Sequence, residues 1–338
     1  MVESCFYHIN EPGKLVCVNT LEEALIKAKS GSFIWLAYCQ PTKEELSLLI
    51  EPLGIHPLAV EDCLDEDQIP KIEDYPNNTH ILFNSFSYAN KDLIIDEINF
   101  FIGSNFLITV NKLDKNNQNY HEGIKRLVEQ DLVSAKQGPA YLMHTILDNI
   151  VDNKFSVLES IEDELISAED AMADNLADFN PAELQRIRRD VLALRKSLFH
   201  EREILIKICR KDIVFIPEKA IFHYRDIYDH LTKFFELSEK HREIVTSLTQ
   251  MNLSLLNNKM AQAANQTNKS VRRLTLITTI FMPLTLIAGI GGMSEWSMMT
   301  GPENWRTAYP AFLLAMAIAG GANYFLLKWL EMRDQGRE

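Results

Sequence analysis

From Glu218 to Met282 the chain has no glycine and no proline, so 65 residues can run as one helix of roughly 100 Å at ~1.5 Å rise per residue. An ordinary globular helix is several times shorter. The end of this stretch, Leu274 to Gly291, carries no charge over 18 residues, and after a loop a second apolar run extends from Ala311 to Leu330. Each is long enough to cross a bilayer core of ~30 Å. The expected architecture is a large water-soluble body feeding a two-helix membrane hairpin.

The first apolar helix carries a regular set of exceptions. Thr278, Met282, Thr285, Gly289 and Gly292 are spaced 4, 3, 4 and 3, which puts small, polar or flexible residues on one helix face. Two readings fit. Small residues let membrane helices pack closely, and Thr can bond back to its own backbone. Alternatively, Thr hydroxyls and Gly carbonyls line a pore in a symmetric oligomer and offer oxygens to an ion. Pro283 leaves a carbonyl one turn earlier without its donor, which is tolerated where that group meets water or an ion.

The second apolar run places Ala315, Ala319 and Ala322 on one face, expected to pack against the first helix. Two helices cannot enclose an aqueous path, so transport would need several copies around an axis. Lys269, Arg272 and Arg273 precede the first span, and Lys328, Arg333 and Arg337 lie at or beyond the end of the second. The connecting loop holds Glu295, Glu303 and only Arg306. The positive-inside rule then puts both termini in the cytoplasm, with the chain in the cytoplasmic (inner) membrane.

The run Ile280 to Met293 (IFMPLTLIAGIGGM), an acidic loop, Pro302-Glu303-Asn304-Trp305, Tyr309-Pro310 and a second span resemble the CorA family of divalent-cation channels. That family closes its first span with Gly-Met-Asn. Here the tripeptide is Gly292, Met293, Ser294, and Ser offers a shorter hydroxyl in place of an amide carbonyl. Zinc-transporting relatives of the ZntB type also vary this tripeptide. The resemblance extends to Leu53–Asp62 (LGIHPLAVED), Gln68–Glu73 (QIPKIE) and His223–His230 (HYRDIYDH), in matching order along essentially the whole chain. It implies a homopentameric funnel that moves magnesium, or cobalt, nickel or zinc, and is gated by cytosolic divalent ions. It also implies Asn268, Leu274, Thr278, Met282, Thr285 and Gly289 as pore lining, with Leu274 and Met282 as apolar constrictions. Gly292, Met293 and Ser294 would form the selectivity mouth, and Glu295 and Glu303 the entrance rim. Asp226 aligns with a carboxylate that binds a regulatory divalent ion at a subunit interface, with Asp92 and Asp96 as candidate partners. A ZntB-like zinc transporter and a non-conducting scaffold or sensor are the alternatives.

The soluble part reads as an α+β domain, a sheet covered by helices. Ser32–Tyr38, His80–Tyr88, Glu97–Ile102 and Phe106–Val110 are strand-like, with Gly103-Ser104-Asn105 turning the last two into a hairpin. Leu21–Ser30, Thr42–Ile50 and His56–Leu64 read as helices, the first capped by Thr20 and the last opened by Pro57. Five cysteines with no C-x-x-C suggest neither a disulfide framework nor a zinc ribbon. No basic, apolar leader opens the chain, so membrane insertion is expected to rest on the C-terminal hairpin. Asn77-Asn78-Thr79 matches a glycosylation sequon that should stay unmodified in the cytoplasm.

From Pro139 the chain reads as helical. Tyr141–Asp178 and Ala182–Arg210 make a helical hairpin, with Asn180 as cap, Pro181 at the first helical position and Glu183 as the capping-box acid. The first arm is acidic, from Glu159, Glu162, Asp163 and Glu164 to Glu169, Asp170, Asp174 and Asp178. That is either a solvated face or, in several copies, a cation-attracting field. His223, Asp226 and His230 share one face of the long helix at i, i+3 and i+7, a spacing open to a metal or to plain surface exposure.

The expected division is 1–138 α/β domain, 139–216 helical hairpin, 217–273 stalk helix, 274–292 first span, 293–310 external loop, 311–330 second span and 331–338 tail. No phosphate loop, nucleophile elbow or H-E-x-x-H is present, and Gly289, Gly291 and Gly292 follow a membrane span rather than a strand. No enzymatic activity, no cofactor beyond the divalent cations themselves and no nucleic-acid partner are expected.

Overall fold

The computed structural model describes residues 4–9, 15–30, 32–65, 68–111, 126, 128, 137–174, 179–292, 301 and 303–335. Contacts divide the chain into two compact units, Met1–Asn252 and Leu253–Glu338.

The first unit is built on β1 (Cys5–Ile9), β2 (Leu15–Val18), β3 (Phe33–Cys39), β4 (Lys71–Asp74), β5 (Thr79–Ala89), β6 (Asp92–Ile102) and β7 (Phe106–Asn111). They form one sheet in the order β2-β1-β3-β7-β6-β5-β4. Among the described residues only β3 and β7 pair in parallel, with Ile34 opposite Phe106. The sheet is apolar on both faces, as its period-two alternation requires. Trp35, Ala37, Phe83, Phe100 and Leu107 join one core, whereas Ile34, Leu36, Tyr38, Ile108 and Val110 join the other.

The second core is closed by α1 (Leu21–Lys29), α2 (Lys43–Ser47), α3 (Ile50–Leu53) and α4 (Pro57–Asp62). The expected single helix over Thr42–Ile50 is two short ones. Pro52 has no N–H for the Leu48 carbonyl, so a continuous ladder fails there, and Gly54 ends α3 at φ +71°. The Thr20 hydroxyl accepts from Glu23 N at 3.3 Å, and the His56 ring accepts from Leu58 N ahead of Pro57. Strands β1, β2 and β4 have no counterpart among the sequence expectations. Two of them, β2 and β4, are sheet edges only four residues long; β4 (Lys71-Ile72-Glu73-Asp74) is mostly charged, and β2 (Leu15-Val16-Cys17-Val18) is too short an apolar run for a period-two pattern to show.

The other core lies under α5 (Pro139–Asp174), α6 (Pro181–Cys209) and the start of α7 (Ile221–Gly291). Asn180 caps α6 by accepting from Ala182 N. Glu183 is drawn instead to Lys91, whose Nζ lies 3.6 Å away. Fully buried Lys154 of α5 bonds Glu201 of α6 at 2.7 Å and the Asn84 carbonyl of β5. Asn84 N and Ser197 Oγ also donate to the same Glu201 oxygen, each at 3.1 Å.

The second unit holds the end of α7, which continues through Pro283, and α8 (Trp305–Gln335). Among the described residues, α7 and α8 are the two helices long and apolar enough to cross a membrane.

Candidate functional site

The end of α7 has two distinct faces. Leu276, Ile280, Pro283, Leu284, Ile287 and Gly291 are half-buried. A Cβ on Gly291 would lie 2.6 Å from the Phe312 ring, and one on Gly320 would lie 3.5 Å from Leu284. This is the seam with α8. The opposite stripe, Asn268, Leu274, Thr278, Met282, Thr285, Gly289 and Gly292, is exposed throughout. Met282, Thr285 and Gly289 share an open groove of about 870 Å³ with Pro283, Leu286 and Ile290. The stripe is therefore not the face that packs on the second span within the chain. On α8 the seam is not the expected Ala315, Ala319, Ala322 row either. Phe312, Met316, Ala319, Gly320 and Asn323 are half-buried, while Ala315 and Ala322 are exposed. Close approach here needs a ring set into a glycine notch more than a row of alanines.

The stripe's hydroxyls are oriented by the helix itself. Thr278 Oγ1 donates to the Leu274 carbonyl at 2.9 Å and Thr285 Oγ1 to the Phe281 carbonyl at 2.8 Å. With the proton directed at the backbone, each oxygen keeps lone pairs for a water or a cation. Gly289 has no atom within 4 Å of a built Cβ. Glu303 is exposed; Met293, Ser294 and Glu295 lie outside the described residues.

In the first unit, the start of α7 meets α5. Asp226 and His223 are exposed and His230 is half-buried. Ligand atoms of Asp148, Asp152 and His230 lie within 4.8 Å of one another. The His144 ring lies 5.0 Å from that of His223, tilted at 60° to it. The Asp148 carboxyl is pushed up, first by burial and then by the Asp152 and Asp226 carboxylates, with His230 and His223 opposing. A divalent ion would relieve that repulsion. Sequence reading missed Asp148, Asp152 and His144; the signal was two carboxylates four residues apart on one face of α5, with His144 one turn before the first. Asp96 lines a separate recess with Ser85, Tyr88 and Ser156, and Asp92 stands near Asp190. The carboxylate set beside Asp226 within the chain is Asp148.

The acidic arm of α5 is mostly solvated: Glu159, Asp163, Glu169 and Asp170 are exposed. Glu164 is the exception, tied to Arg186 of α6. Asp178 lies outside the described residues.

A sheet-and-helix unit followed by two helices long and apolar enough to cross a membrane is the architecture of a membrane protein, and its class, metal-ion transport, follows from its family. A family model described as CorA-like Mg2+ transporter protein matches residues 30–328, and the chain belongs to that family. It is 31% identical over 271 residues to the cobalt/magnesium transport protein CorA of Thermotoga maritima, covering 79% of this chain and 74% of that one. The fold is similar to the complete CorA magnesium transporter of Methanocaldococcus jannaschii, with TM-score 0.69, 22% identity and coverage of 96% and 97%. It is also similar to the ZntB cytoplasmic domain of Vibrio parahaemolyticus, with TM-score 0.58, 11% identity and coverage of 75% and 98%.

Proposed function

We propose that this protein is a divalent-cation channel that moves magnesium, and also cobalt, nickel or zinc, across the cytoplasmic membrane as a homopentamer with both termini inside. The observation that carries the reading is the stripe of α7: its oxygens and its bare glycine face away from α8. A helix with its hairpin partner on one side and an oxygen-bearing face on the other is suited to surround an axis with further copies of itself. In this reading Asn268, Leu274, Thr278, Met282, Thr285 and Gly289 line the path. Gly292, Met293 and Ser294 form the mouth, and Glu295 and Glu303 attract cations to it from the external loop.

Magnesium keeps most of its waters, so oxygens around the axis act through the hydration shell. A hydroxyl at Ser294 is shorter than the amide of its Gly-Met-Asn relatives and discriminates less sharply among hydrated ions. That departure favours zinc, cobalt or nickel as additional cargo, and a ZntB-like zinc preference is the second reading. Flux into proteoliposomes, run with magnesium, cobalt, nickel and zinc in parallel, tests both. Flux of zinc alone selects the second reading, and no flux of any ion leaves a scaffold or sensor. Ser294→Asn should strengthen magnesium uptake relative to the other ions; unchanged preference removes Ser294 from the filter.

Regulation centres on Asp226. A divalent ion held between Asp226 and a neighbouring subunit, with Asp148 adding charge beside it, neutralises clustered carboxylates and favours a closed arrangement. High internal ion then limits its own entry. Asp226→Asn should reduce the protection from proteolysis that magnesium confers, and equal protection in wild type and variant would defeat the assignment.

A further inference from the structure

In the first unit, three side chains assemble a donor set that the proposed function does not use. Glu73 of β4 stands directly opposite His80 of β5 in the antiparallel register. Lys71, two residues before Glu73, bridges to Asp62 and so holds the end of α4 beside them. Ligand atoms of Asp62, Glu73 and His80 fall within 4.8 Å of one another.

The histidine is arranged for a ligand. It is fully buried and stacked on Phe101 with centroids 4.7 Å apart. Its Nε2 lies 2.8 Å from Asn99 Oδ1; an amide oxygen only accepts, so this contact selects the tautomer protonated at Nε2. With the proton fixed there, Nδ1 presents a lone pair, and Nδ1 is buried with no partner. An unpaired buried acceptor is costly, and it persists in folds mainly where something fills it. A ring anchored by one N–H with its other nitrogen free is also the arrangement that orients a metal-binding histidine.

The carboxylates are already gathered around a cation. Lys71 Nζ lies 2.5 Å from Asp62 Oδ2 and 3.4 Å from Glu73 Oε1. The other Glu73 oxygen accepts from the Tyr75 hydroxyl at 2.7 Å, which fixes the plane of the carboxylate. The Lys71 side chain is 27% exposed, so its ammonium has a route out to water.

We propose that Asp62, Glu73 and His80 bind a divalent transition ion of the zinc type, and that Lys71 is the tethered cation which occupies the two carboxylates until the metal displaces it. One imidazole nitrogen and two carboxylates, with a position left for water, form a zinc-type donor set. Magnesium, which prefers oxygens and its own waters, gains little from the imidazole. The metal-bound state staples α4 to the β4–β5 edge and releases Lys71. This holds whether or not the chain conducts ions.

The test is calorimetric zinc binding to the full-length protein in detergent, with magnesium in excess to occupy oxygen-only sites. His80→Gln should bind one zinc fewer per protomer than wild type, or bind it about tenfold or more weakly. Lys71→Met should bind that zinc roughly fivefold more tightly, because the competing ammonium is gone. Identical zinc stoichiometry and affinity in wild type and His80→Gln would overturn the proposal. If circular dichroism shows that His80→Gln does not fold, Lys71→Met decides: unchanged or weakened zinc affinity overturns it.

Discussion

Lys154 and Glu201 are charged side chains with no exposure at all. The Lys154 ammonium is fully buried beside Glu201, and burial drives its pKa down while Glu201 opposes the shift. Removing one member of such a pair leaves the other uncompensated. Lys154→Met should therefore cost about 3–5 kcal/mol, and Lys154→Met with Glu201→Leu should cost less than either change alone. Chemical denaturation of the four proteins checks this; additive losses would mean the pair is not coupled. Asp148 yields a pH prediction. Its folded-state pKa lies above the ordinary 3.8, so the folded protein holds this proton more tightly than the unfolded chain does. The stabilisation is complete below the unfolded value and disappears as pH rises through the folded one. A divalent ion must displace the same proton. Magnesium protection should then fade on acidification while still above the ordinary carboxylate range, and Asp148→Asn should flatten that dependence. An unchanged pH profile in Asp148→Asn would remove Asp148 from the cluster's chemistry.

At the scale of elements, the two faces of α7 make opposite predictions for two nearby glycines. Gly291→Leu drives a side chain into the Phe312 ring and should destabilise the α7–α8 hairpin by about 1–3 kcal/mol. Gly289→Ala meets nothing within 4 Å and should leave thermal stability in detergent unchanged while altering ion flux. If both variants lost stability equally, the stripe would be a packing face after all. The soluble elements show how far local rules reach. The caps at Thr20 and Asn180 and the turn at Gly103 were readable because each is a contact among residues a few positions apart. Strands β1, β2 and β4 were not: they are only five, four and four residues long, too short for a period-two pattern to stand out from a loop.

At the scale of the whole molecule, a single hairpin has no interior for an ion, so the function proposed here depends on assembly. Mass measurement in detergent should give five protomers, and a stable monomer or dimer would defeat the channel reading. Within that assembly, Leu274 and Met282 should act as apolar constrictions that dewet and block ions. Leu274→Ser or Met282→Ser should raise leak; unchanged flux would argue against a gate at these positions.

The long helix, its two spans and the oxygen-bearing stripe were legible in the sequence because backbone bonding over four residues and the length of an apolar run are short-range properties. So was the face shared by His223, Asp226 and His230. What the tertiary structure alone decided is which distant segments meet. It set Asp148 and Asp152 against His230, buried Lys154 on Glu201, aimed α8 at the seam rather than at the stripe, and brought Asp62, Glu73 and His80 around Lys71. Each of these depends on the packing of elements far apart in the chain, and no local periodicity encodes that packing.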